Sequence, residues 1–294
     1  MLDFHGHQAR VNRLLEKDIF FIAGMPKSGT TWLQKILDGH PDICCGGEGH
    51  FTNMLGPKLQ SALLEHNEYI RLKNRMLYGT SEGFPTFTVD HIMFLFVNAV
   101  CLLLEAQTEG REYRCVGEKT PNNVRALPQL AELFPRAKFI HIIRDGRDGV
   151  VSGWHHIQRD TPEEARKQFP TFADYVASFA KQWAEITQIG RDFGRRNPGR
   201  YFEIRYEELH ADPDAHLARL LGFLGVDASP EAIARCRESG SFQRLSGGRA
   251  PGEEDKQSHF RKGVAGDWKN YFDDKTLSIF NREAGHLLRE LGYS

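Results

Sequence analysis

The feature that most constrains the fold is a glycine-containing loop between an apolar run and a helical pattern near the start of the chain. Residues 19–23 read IFFIA, an apolar run typical of a strand that is buried on both faces. Residues 24–31 follow directly and contain two glycines, and residues 32–37 then show the apolar spacing of a helix. A strand, a tight loop and a helix in this order form the first half of a βαβ unit. The start of the chain therefore predicts an α/β fold.

The rest of the chain repeats this alternation of strands and helices. Short apolar or β-branched runs predict further strands, and apolar residues three or four positions apart predict further amphipathic helices. No repeat, low-complexity tract or Pro/Ser-rich linker divides the 294 residues. We therefore expect one α/β domain, residues 1–294, with a mostly parallel central sheet flanked by helices and with ligands bound beyond the carboxyl ends of the strands. The additional predicted strands are 113–116, 138–143 and 201–204, and the additional predicted helices are 171–193, 217–224 and 277–291.

Composition limits the kinds of partner that the chain can have. Its formal net charge of −1 favours neither nucleic acid nor a membrane surface, so any anion site must be local. Residues 1–18 lack the apolar core of a secretory signal. The apolar run 92–104 is shorter than the ~20 residues of a membrane span, so we expect a buried helix there. The five cysteines form no C-x-x-C pair, which argues against a disulfide scaffold or zinc site and fits a reducing cytoplasm.

The loop after the first predicted strand has the composition of an anion site. Gly24 and Gly29 have the spacing of the Walker pattern, and Thr31 stands where that pattern has its magnesium ligand. An NTPase would have its lysine after the second glycine, whereas this chain has Thr30 there and carries the positive charge inside the loop, at Lys27. That arrangement serves a magnesium-bound triphosphate poorly. It suits a less charged phosphosulfate, held by one lysine, hydroxyl groups and backbone N–H groups.

The loop sequence is specific enough to indicate a family. Residues 26–32, PKSGTTW, resemble the 5′-phosphosulfate loop of the sulfotransferases that use 3′-phosphoadenosine-5′-phosphosulfate (PAPS) as donor. The resemblance implies a fold similar to the P-loop NTPases and donor binding without a metal ion. It places Lys27 on the bridging oxygen and Trp32 beside the adenine, although core packing of Trp32 is an alternative. The residues implied in donor binding are Lys27, Ser28, Gly29, Thr30, Thr31 and Trp32.

Two later segments resemble the 3′-phosphate site of the same family. Residues 144–152, RDGRDGVVS, follow a predicted strand, and the resemblance places the phosphate on Arg144 and Ser152. An arginine at the end of a buried strand offers a rigid fork of donors for phosphate. Residues 261–269, RKGVAGDWK, resemble the closing motif of the family. That motif implies phosphate contacts from Arg261, Lys262 and Gly263.

Further expectations concern the surroundings of these motifs. Arg147 is expected to be solvent-exposed or an ion-pair partner. The stretch 246–262 is rich in glycine, proline and charge, so we expect a mobile loop that closes over the cofactor. Tyr206 and Phe242 stand in segments that resemble those carrying the adenine-contacting rings of the family, with core packing as the alternative for each.

The catalytic groups cannot be copied from the cytosolic members of the family. Sulfuryl transfer needs a base near the acceptor and a cation near the leaving oxygen, and Lys27 is the natural cation. The cytosolic members carry K-T-H with the histidine as base, whereas this chain has Pro121 at that place. Lys119, in the same segment, matches the lysine of E-K-T-P or E-K-S-P segments in heparan-type sulfotransferases. We expect it to orient the base or stabilise developing charge; a surface role is the alternative.

A second resemblance indicates a different base. Residues 37–51 resemble the corresponding stretch of tyrosylprotein and heparan-type sulfotransferases, in which a glutamate is the proposed base. That position is Glu48 in this chain. His50 is the rival base, and His155 and His156 are less favoured.

The sequence as a whole predicts a sulfotransferase that moves the sulfuryl group of PAPS to an acceptor hydroxyl or amine by in-line displacement, leaving 3′-phosphoadenosine-5′-phosphate (PAP). A P-loop kinase or NTPase and a non-catalytic PAP- or PAPS-binding protein are the alternatives. Segments 51–96 and 157–169 are expected to build the acceptor pocket, and their mixed composition fits a phenol, lipid alcohol, sugar or acyl chain equally well. The dimer motif of the cytosolic members is not kept after Lys269, which leaves the oligomeric state open.

Overall fold

A parallel sheet of five strands forms the centre of the computed structural model, which describes residues 3–293. The strands are Asp18–Ala23 (β1), Ile43–Cys45 (β2), Cys115–Lys119 (β3), Lys138–Ile143 (β4) and Tyr201–Arg205 (β5). Their order is β2-β3-β1-β4-β5, and every neighbouring pair is parallel. The prediction of one α/β domain with a parallel sheet is confirmed. Of its bounds, residues 1, 2 and 294 lie outside the described part.

Helices occupy the connections between the strands and cover the sheet. All four predicted helices are present, and each begins one to four residues away from the predicted start. The α-helices are Phe4–Glu16 (α1), Thr30–Leu37 (α2), Gly56–Tyr78 (α3), Val89–Ala106 (α4), Leu127–Leu133 (α5), Gly146–Asp160 (α6), Pro162–Gln168 (α7), Phe172–Arg196 (α8), Tyr206–Ala211 (α9), Pro213–Leu224 (α10), Pro230–Ser239 (α11), Phe242–Leu245 (α12) and Asp274–Glu290 (α13). Short helices of other types occur at Phe51–Leu55, Pro121–Ala126 and Asp267–Asn270.

Strand β1 shows how the sequence builds a sheet that is buried on both faces. Successive side chains of a strand point to opposite faces. Phe20 and Ile22 pack into one core cluster, and Ile19, Phe21 and Ala23 pack into the other. Both faces of the strand are therefore apolar, as the continuous apolar run predicts.

The predicted strands differ from the observed ones where charged residues are buried. Strands β1, β4 and β5 match their predictions to within one residue. The strand predicted at 113–116 is displaced and ends with Glu118 and Lys119, which are each only 3% exposed. Two consecutive charged residues normally indicate an exposed loop, so the sequence pattern predicted that the strand ends before Glu118. Strand β2 was not predicted, because its three residues are too short to give a pattern.

Helix α4 corrects the expectation of a buried helix at 92–104. Its length and mean hydropathy of 1.8 would suit a membrane span. One side packs into the core, through Ile92, Phe96 and Val100, but Phe94 and Leu103 are 63% and 53% exposed. The helix is apolar all round, so its sequence gives no sign of which side faces the core.

Parallel strands place the loops that follow them side by side. Strand β1 lies between β3 and β4, so the loops after these three strands meet at one edge of the sheet. Those loops contain the predicted phosphosulfate loop, the segment after Lys119 and the segment beginning at Arg144. The fold thus brings together motifs that are more than a hundred residues apart in sequence.

Strand β4 carries a buried histidine that makes the stability of the fold depend on pH. His141 is 1% exposed, and burial lowers its pKa from 6.5 to about 3. As pH falls below 6.5 the unfolded chain binds a proton that the folded chain does not, which favours unfolding by about 1.4 kcal/mol per pH unit. We therefore expect His141 to reduce the free energy of unfolding by about 2 kcal/mol between about pH 6.5 and pH 4.5. Urea unfolding of the wild type and of His141→Asn at both pH values measures this, and a difference between the two proteins that does not change with pH would contradict it.

Candidate active site

A cavity of about 640 Å³ lies beyond the carboxyl ends of β1, β3 and β4. It is lined by residues from the phosphosulfate loop, the predicted base segment and both predicted 3′-phosphate segments. Of the residues predicted for the site, those that line it are Lys27, Gly29, Thr30, Thr31, Trp32, Glu48, His50, Arg144, Ser152, Tyr206, Phe242, Arg261, Lys262 and Gly263. Motifs predicted separately from the sequence therefore form one site.

The phosphosulfate loop presents a helix N-terminus to the cavity. Gly29 precedes α2 with a φ of 95°, and a Cβ atom there would lie 2.7 Å from the ring of Tyr206. Only glycine satisfies both the backbone conformation and this close approach. No side chain of the described residues caps the start of helix α2, and Thr30 and Thr31 in its first turn line the cavity. The N-terminal N–H groups and hydroxyls at this position suit an anion.

Lys27 supplies the positive charge of this loop. It has a φ of 75° and lines the cavity. Burial and the nearby positive charge of Arg159 lower the pKa of Lys27 to about 8. Ser28, the next residue, does not line the cavity. Its hydroxyl is buried without a hydrogen-bond partner among residues 3–293, and its backbone N–H donates to the carbonyl of Met25. The structure therefore brings Lys27, but not Ser28, to the cavity.

Three aromatic rings line the part of the cavity where the family resemblance places adenine. The Trp32 ring packs against Tyr206 at a centroid distance of 4.9 Å, and its Nε1–H donates to the carbonyl of Gly240 at 2.8 Å. Trp32 therefore combines packing with exposure to the cavity. Phe242 also lines the cavity, and it packs so closely on Gly263 that a Cβ atom there would lie 2.3 Å from its ring.

Arg144 connects the phosphosulfate loop to the closing motif. Its guanidinium group lies over the ring of Tyr206, 4.3 Å from the centroid, and its Nη2 donates to the carbonyl of Val264 at 3.2 Å. Its Nε atom is buried and has no hydrogen-bond partner within residues 3–293. Ser152, two turns into α6, lines the same cavity. Arginine and serine donors are thus positioned together, as a phosphate site requires.

One buried carboxylate holds the cations of the closing motif. Asp267 is 4% exposed and accepts hydrogen bonds from Arg261 Nη2 at 2.5 Å and Lys262 Nζ at 2.6 Å. Burial by itself would raise the pKa of Asp267, but these donors outweigh it and lower the pKa to about 2. Arg261 and Lys262 are therefore fixed side by side at the wall of the cavity.

Arg147 corrects one expectation. It is 4% exposed, so the prediction of a solvent-exposed side chain is wrong, while the prediction of an ion pair is confirmed. Its partner is Asp145, at 2.8 Å, and its guanidinium group lies 3.8 Å from the centroid of the Trp268 ring. The closing motif packs on this face of α6 and covers Arg147. That contact spans more than a hundred residues of sequence, and local sequence gives no sign of it.

The predicted base is held by a buried lysine. Lys119 is 3% exposed at the end of β3, so a surface role is excluded. Its Nζ donates to Glu48 Oε1 and, at 3.1 Å, to Thr31 Oγ1. The other carboxylate oxygen of Glu48 lies 3.2 Å from His50 Nε2. Glu48 is thereby positioned between Lys119 and His50 and is connected through Lys119 to the phosphosulfate helix.

The loop that carries Glu48 is attached to the end of β3 by two further contacts. The buried carboxylate of Glu118 accepts the Gly49 N–H at 2.7 Å, and Thr120 Oγ1 accepts the His50 N–H at 3.2 Å. Burial raises the pKa of Glu118, although hydrogen bonds from Thr120 and Gly49 oppose the shift. These two bonds fix the backbone directly after Glu48, which presents its side chain to the cavity.

Some lining residues were not predicted. His259 lines the cavity, and burial together with the positive charge of Lys27 lowers its pKa to about 4. It stands two residues before the closing motif, and this position in the sequence was the available signal for its place in the cavity.

Of the two less favoured base candidates, His156 lines the cavity. His155 does not line it, and its Nε2 lies 3.1 Å from the hydroxyl of Tyr271. The two segments predicted for the acceptor pocket, 51–96 and 157–169, contribute none of the residues that line this cavity within 3–293.

Comparison with known proteins identifies the family. A family model described as the sulfotransferase family matches residues 19–230. The chain belongs to the sulfotransferase family. This confirms the prediction of a PAPS-dependent sulfotransferase over that of a kinase or NTPase.

Named relatives of this sulfotransferase come from two branches. A Caenorhabditis briggsae protein named as a candidate protein-tyrosine sulfotransferase is 25% identical over 277 residues, which cover 94% of this chain and 89% of that protein. Protein-tyrosine sulfotransferase 2 of Gallus gallus is 26% identical, with coverage of 74% and 54%. Cytosolic sulfotransferase 3 of Arabidopsis thaliana is 30% identical, with coverage of 49% and 50%. The match spans about half the length of the last two relatives.

Solved structures share the fold. A mouse sulfotransferase complexed with PAP has a TM-score of 0.58 at 21% identity, covering 96% of this chain and 91% of that one. Retinol dehydratase in complex with androsterone and PAP has a TM-score of 0.52 at 19% identity, covering 97% and 86%. These likenesses confirm the P-loop-like sulfotransferase fold.

The residues of the sulfotransferase cavity fit PAPS. The cavity volume of about 640 Å³ is within the range of small-molecule sites, about 300–1,000 Å³. Lys27 lies at the helix N-terminus suited to the phosphosulfate. The Nε donor of Arg144 has no hydrogen-bond partner in the described part of the chain, and the residue contacts the closing motif, where a second phosphate is expected. Two anion sites in one cavity match a nucleotide such as PAPS, which carries a phosphate on its 3′ position and a phosphosulfate on its 5′ position.

Gly29 gives a direct test of the phosphosulfate loop. Gly29→Ala would strain a φ of 95° and press a methyl group against Tyr206, so we expect PAP affinity to fall by at least ~10-fold, about 1.4 kcal/mol. Gly79→Ala is the matched control, because Gly79 also has a positive φ, of 70°, but does not line the cavity. A methyl group added there would meet no atom of the described residues within 4 Å. This variant should lose stability but keep PAP affinity. Isothermal titration calorimetry with PAP measures both, and equal affinities in the two variants would refute this role of Gly29.

Proposed function

We propose that this sulfotransferase transfers the sulfuryl group of PAPS to a phenolic hydroxyl, with Glu48 as the general base and Lys27 as the cation at the leaving oxygen. One observation carries the proposal. Glu48 and Lys27 line the same cavity, and Lys119 connects the carboxylate of Glu48 to the helix that begins at the phosphosulfate loop. A base and a cation at one cavity are what an in-line displacement needs.

Glu48 has the placement expected of a base. Its carboxylate is partly exposed in the cavity, so an acceptor hydroxyl can reach it. Lys119 contacts one oxygen and His50 the other, which restricts the carboxylate to one orientation. A base that is already oriented needs little reorganisation when the acceptor binds. We propose that Lys119 acts through Glu48 as a positioning residue.

Lys27 has the placement expected of the cation. It stands inside the loop that precedes α2, so its ammonium group and the N-terminal N–H groups of the helix act on the same region. PAPS supplies a sulfuryl group joined to a phosphate through a bridging oxygen. Negative charge grows on that oxygen as the bond breaks, and a cation held beside it stabilises the charge.

The chemistry of the base favours a phenol among hydroxyl acceptors. Carboxylates are weak bases, and a phenol releases its proton near pH 10, far more readily than an alkyl alcohol. The relatives named for tyrosine sulfation, which match up to 94% of this chain, support the same class. An acceptor screen that follows PAP release tests it with a tyrosine peptide, a simple phenol, a long-chain alcohol, a sugar and an amine. Turnover with alkyl alcohols or amines but with neither phenolic acceptor would contradict the phenol assignment.

Glu48→Gln tests the base. The amide keeps the shape of the side chain but cannot take a proton, so we expect kcat to fall by roughly 100- to 10,000-fold, the usual contribution of a general base. PAP affinity should change by less than about threefold, because the substituted group is assigned to the acceptor side of the cavity. Calorimetry with PAP and steady-state rates with the best acceptor measure the two effects.

His50→Asn is the matched control for Glu48→Gln. His50 has a φ of 49°, and asparagine tolerates this left-handed conformation better than most residues. We expect His50→Asn to lower kcat by less than about tenfold, because it removes only one contact to Glu48. A larger loss in His50→Asn than in Glu48→Gln would assign the base to His50. Near-normal transfer by Glu48→Gln would remove Glu48 from the role.

The lowered pKa of Lys27 predicts the pH dependence of the enzyme. Lys27 must be protonated to act as a cation, and its pKa of about 8 means that it loses the proton as pH rises through that value. We expect kcat/KM for PAPS to fall as pH rises above about 8, since kcat/KM reports the free enzyme. Lys27→Arg should lower the rate but remove this decline, because a guanidinium group stays protonated. An unchanged decline in Lys27→Arg would show that another group titrates.

A further inference from the structure

We infer that Asp148 is a positioning residue for the 3′-phosphate site, because it fastens the closing motif to the helix that follows Arg144. The inference rests on the use of PAPS by this chain. It is independent of the acceptor and of the identity of the base.

Asp148 holds the closing motif by its backbone. It lies in the first turn of α6 and is 2% exposed. Its Oδ2 accepts the Gly266 N–H at 2.7 Å, and its Oδ1 accepts the Trp268 N–H at 2.9 Å. Both oxygens of one buried carboxylate are thus directed at a single turn. Hydrogen bonds from N–H groups to a buried carboxylate are charge-assisted and among the stronger ones in proteins.

Asp148 also contacts the arginine of the site. Its Oδ2 lies 3.6 Å from Arg144 Nη2, and the same Nη2 donates to the carbonyl of Val264 at 3.2 Å. A buried carboxylate is costly unless it is paired, and Arg144 provides the opposite charge. Arg144, Asp148 and the segment from Val264 to Trp268 therefore form one connected unit.

This unit determines where the phosphate donors lie. Residues 261–263, which line the cavity, immediately precede the segment that Asp148 and Arg144 hold. Asp148 itself does not line the cavity, so it acts through these neighbours. A displacement of about 1 Å in donors that must converge on one phosphate is enough to lose much of their binding energy.

The test compares two nucleotides that differ only in the 3′-phosphate. In Asp148→Asn, one of the two carboxylate oxygens becomes an amide NH2 group, which cannot accept the hydrogen bond from the Gly266 or Trp268 N–H that it faces. The substitution also removes the negative charge beside Arg144. PAP affinity should fall by at least ~30-fold, and the affinity for 5′-AMP should change by less than about threefold. The preference for PAP over 5′-AMP, measured by calorimetry, should therefore fall at least ~10-fold.

Leu288→Ala is the control for lost stability. Leu288 is a core residue of α13, 3% exposed, and does not line the cavity. A large-to-small change of this kind leaves a cavity in the core and destabilises the folded protein. If Asp148 only contributed stability, its variant would behave like Leu288→Ala and keep the ratio of the two affinities. An unchanged ratio in folded Asp148→Asn would overturn the inference.

A measurement on the wild type covers the case in which Asp148→Asn does not fold. The amide hydrogens of Gly266 and Trp268 should exchange slowly with solvent, because both are bonded to a buried carboxylate. Addition of PAP should slow their exchange further, and 5′-AMP should do so much less. Fast exchange at both positions, or equal protection by the two nucleotides, would contradict the positioning role.

Discussion

Three neighbouring parallel strands, β3, β1 and β4, end at the same edge of the sheet, and the whole site depends on that alignment. The loop after β1 supplies the helix N-terminus and Lys27, β3 ends in Lys119, and β4 is followed by Arg144. Lys27 and Arg144 line one cavity, and Lys119 holds Glu48, which lines the same cavity. Because the strands are buried on both faces, their ends are fixed by the core, and the three cations are held at defined positions relative to one another.

The cations of the site are concentrated locally and most are paired with carboxylates, in a chain whose net charge is only −1. Asp267 is bonded to Arg261, Asp148 lies beside Arg144, and Glu48 is bonded to Lys119. Each carboxylate neutralises part of the positive charge and also fixes the cation in place. Lys27 differs, since no carboxylate within residues 3–293 lies within 4.0 Å of its ammonium group. Burial and the positive charge of Arg159 lower the pKa of Lys27, and its ammonium group faces the cavity without such a paired carboxylate.

The parts of the site that the sequence predicted are those encoded in contiguous segments. The phosphosulfate loop, the segment from Arg144 and the closing motif could each be recognised from their own residues, and strand order then brought them together. Burial of Arg147, the contact of Asp148 with a turn far along the chain, and the presence of His259 in the cavity depend on tertiary packing, which local patterns do not encode. Ser28 shows that recognising a motif does not by itself give the position of each side chain in it. It lies within a recognised motif, yet its hydroxyl is buried and the residue does not line the cavity. The mobility of 246–262 stays a prediction.

A crystal structure of the complex with PAP tests the central claim most directly, namely that one cavity holds both anionic ends of the nucleotide. We expect the 5′-phosphate at the N-terminus of α2 beside Lys27, and the 3′-phosphate between Arg144, Ser152 and residues 261–263. The adenine should lie among the rings of Trp32, Tyr206 and Phe242. A 3′-phosphate bound away from Arg144 and the closing motif, or a nucleotide bound outside this cavity, would contradict the claim.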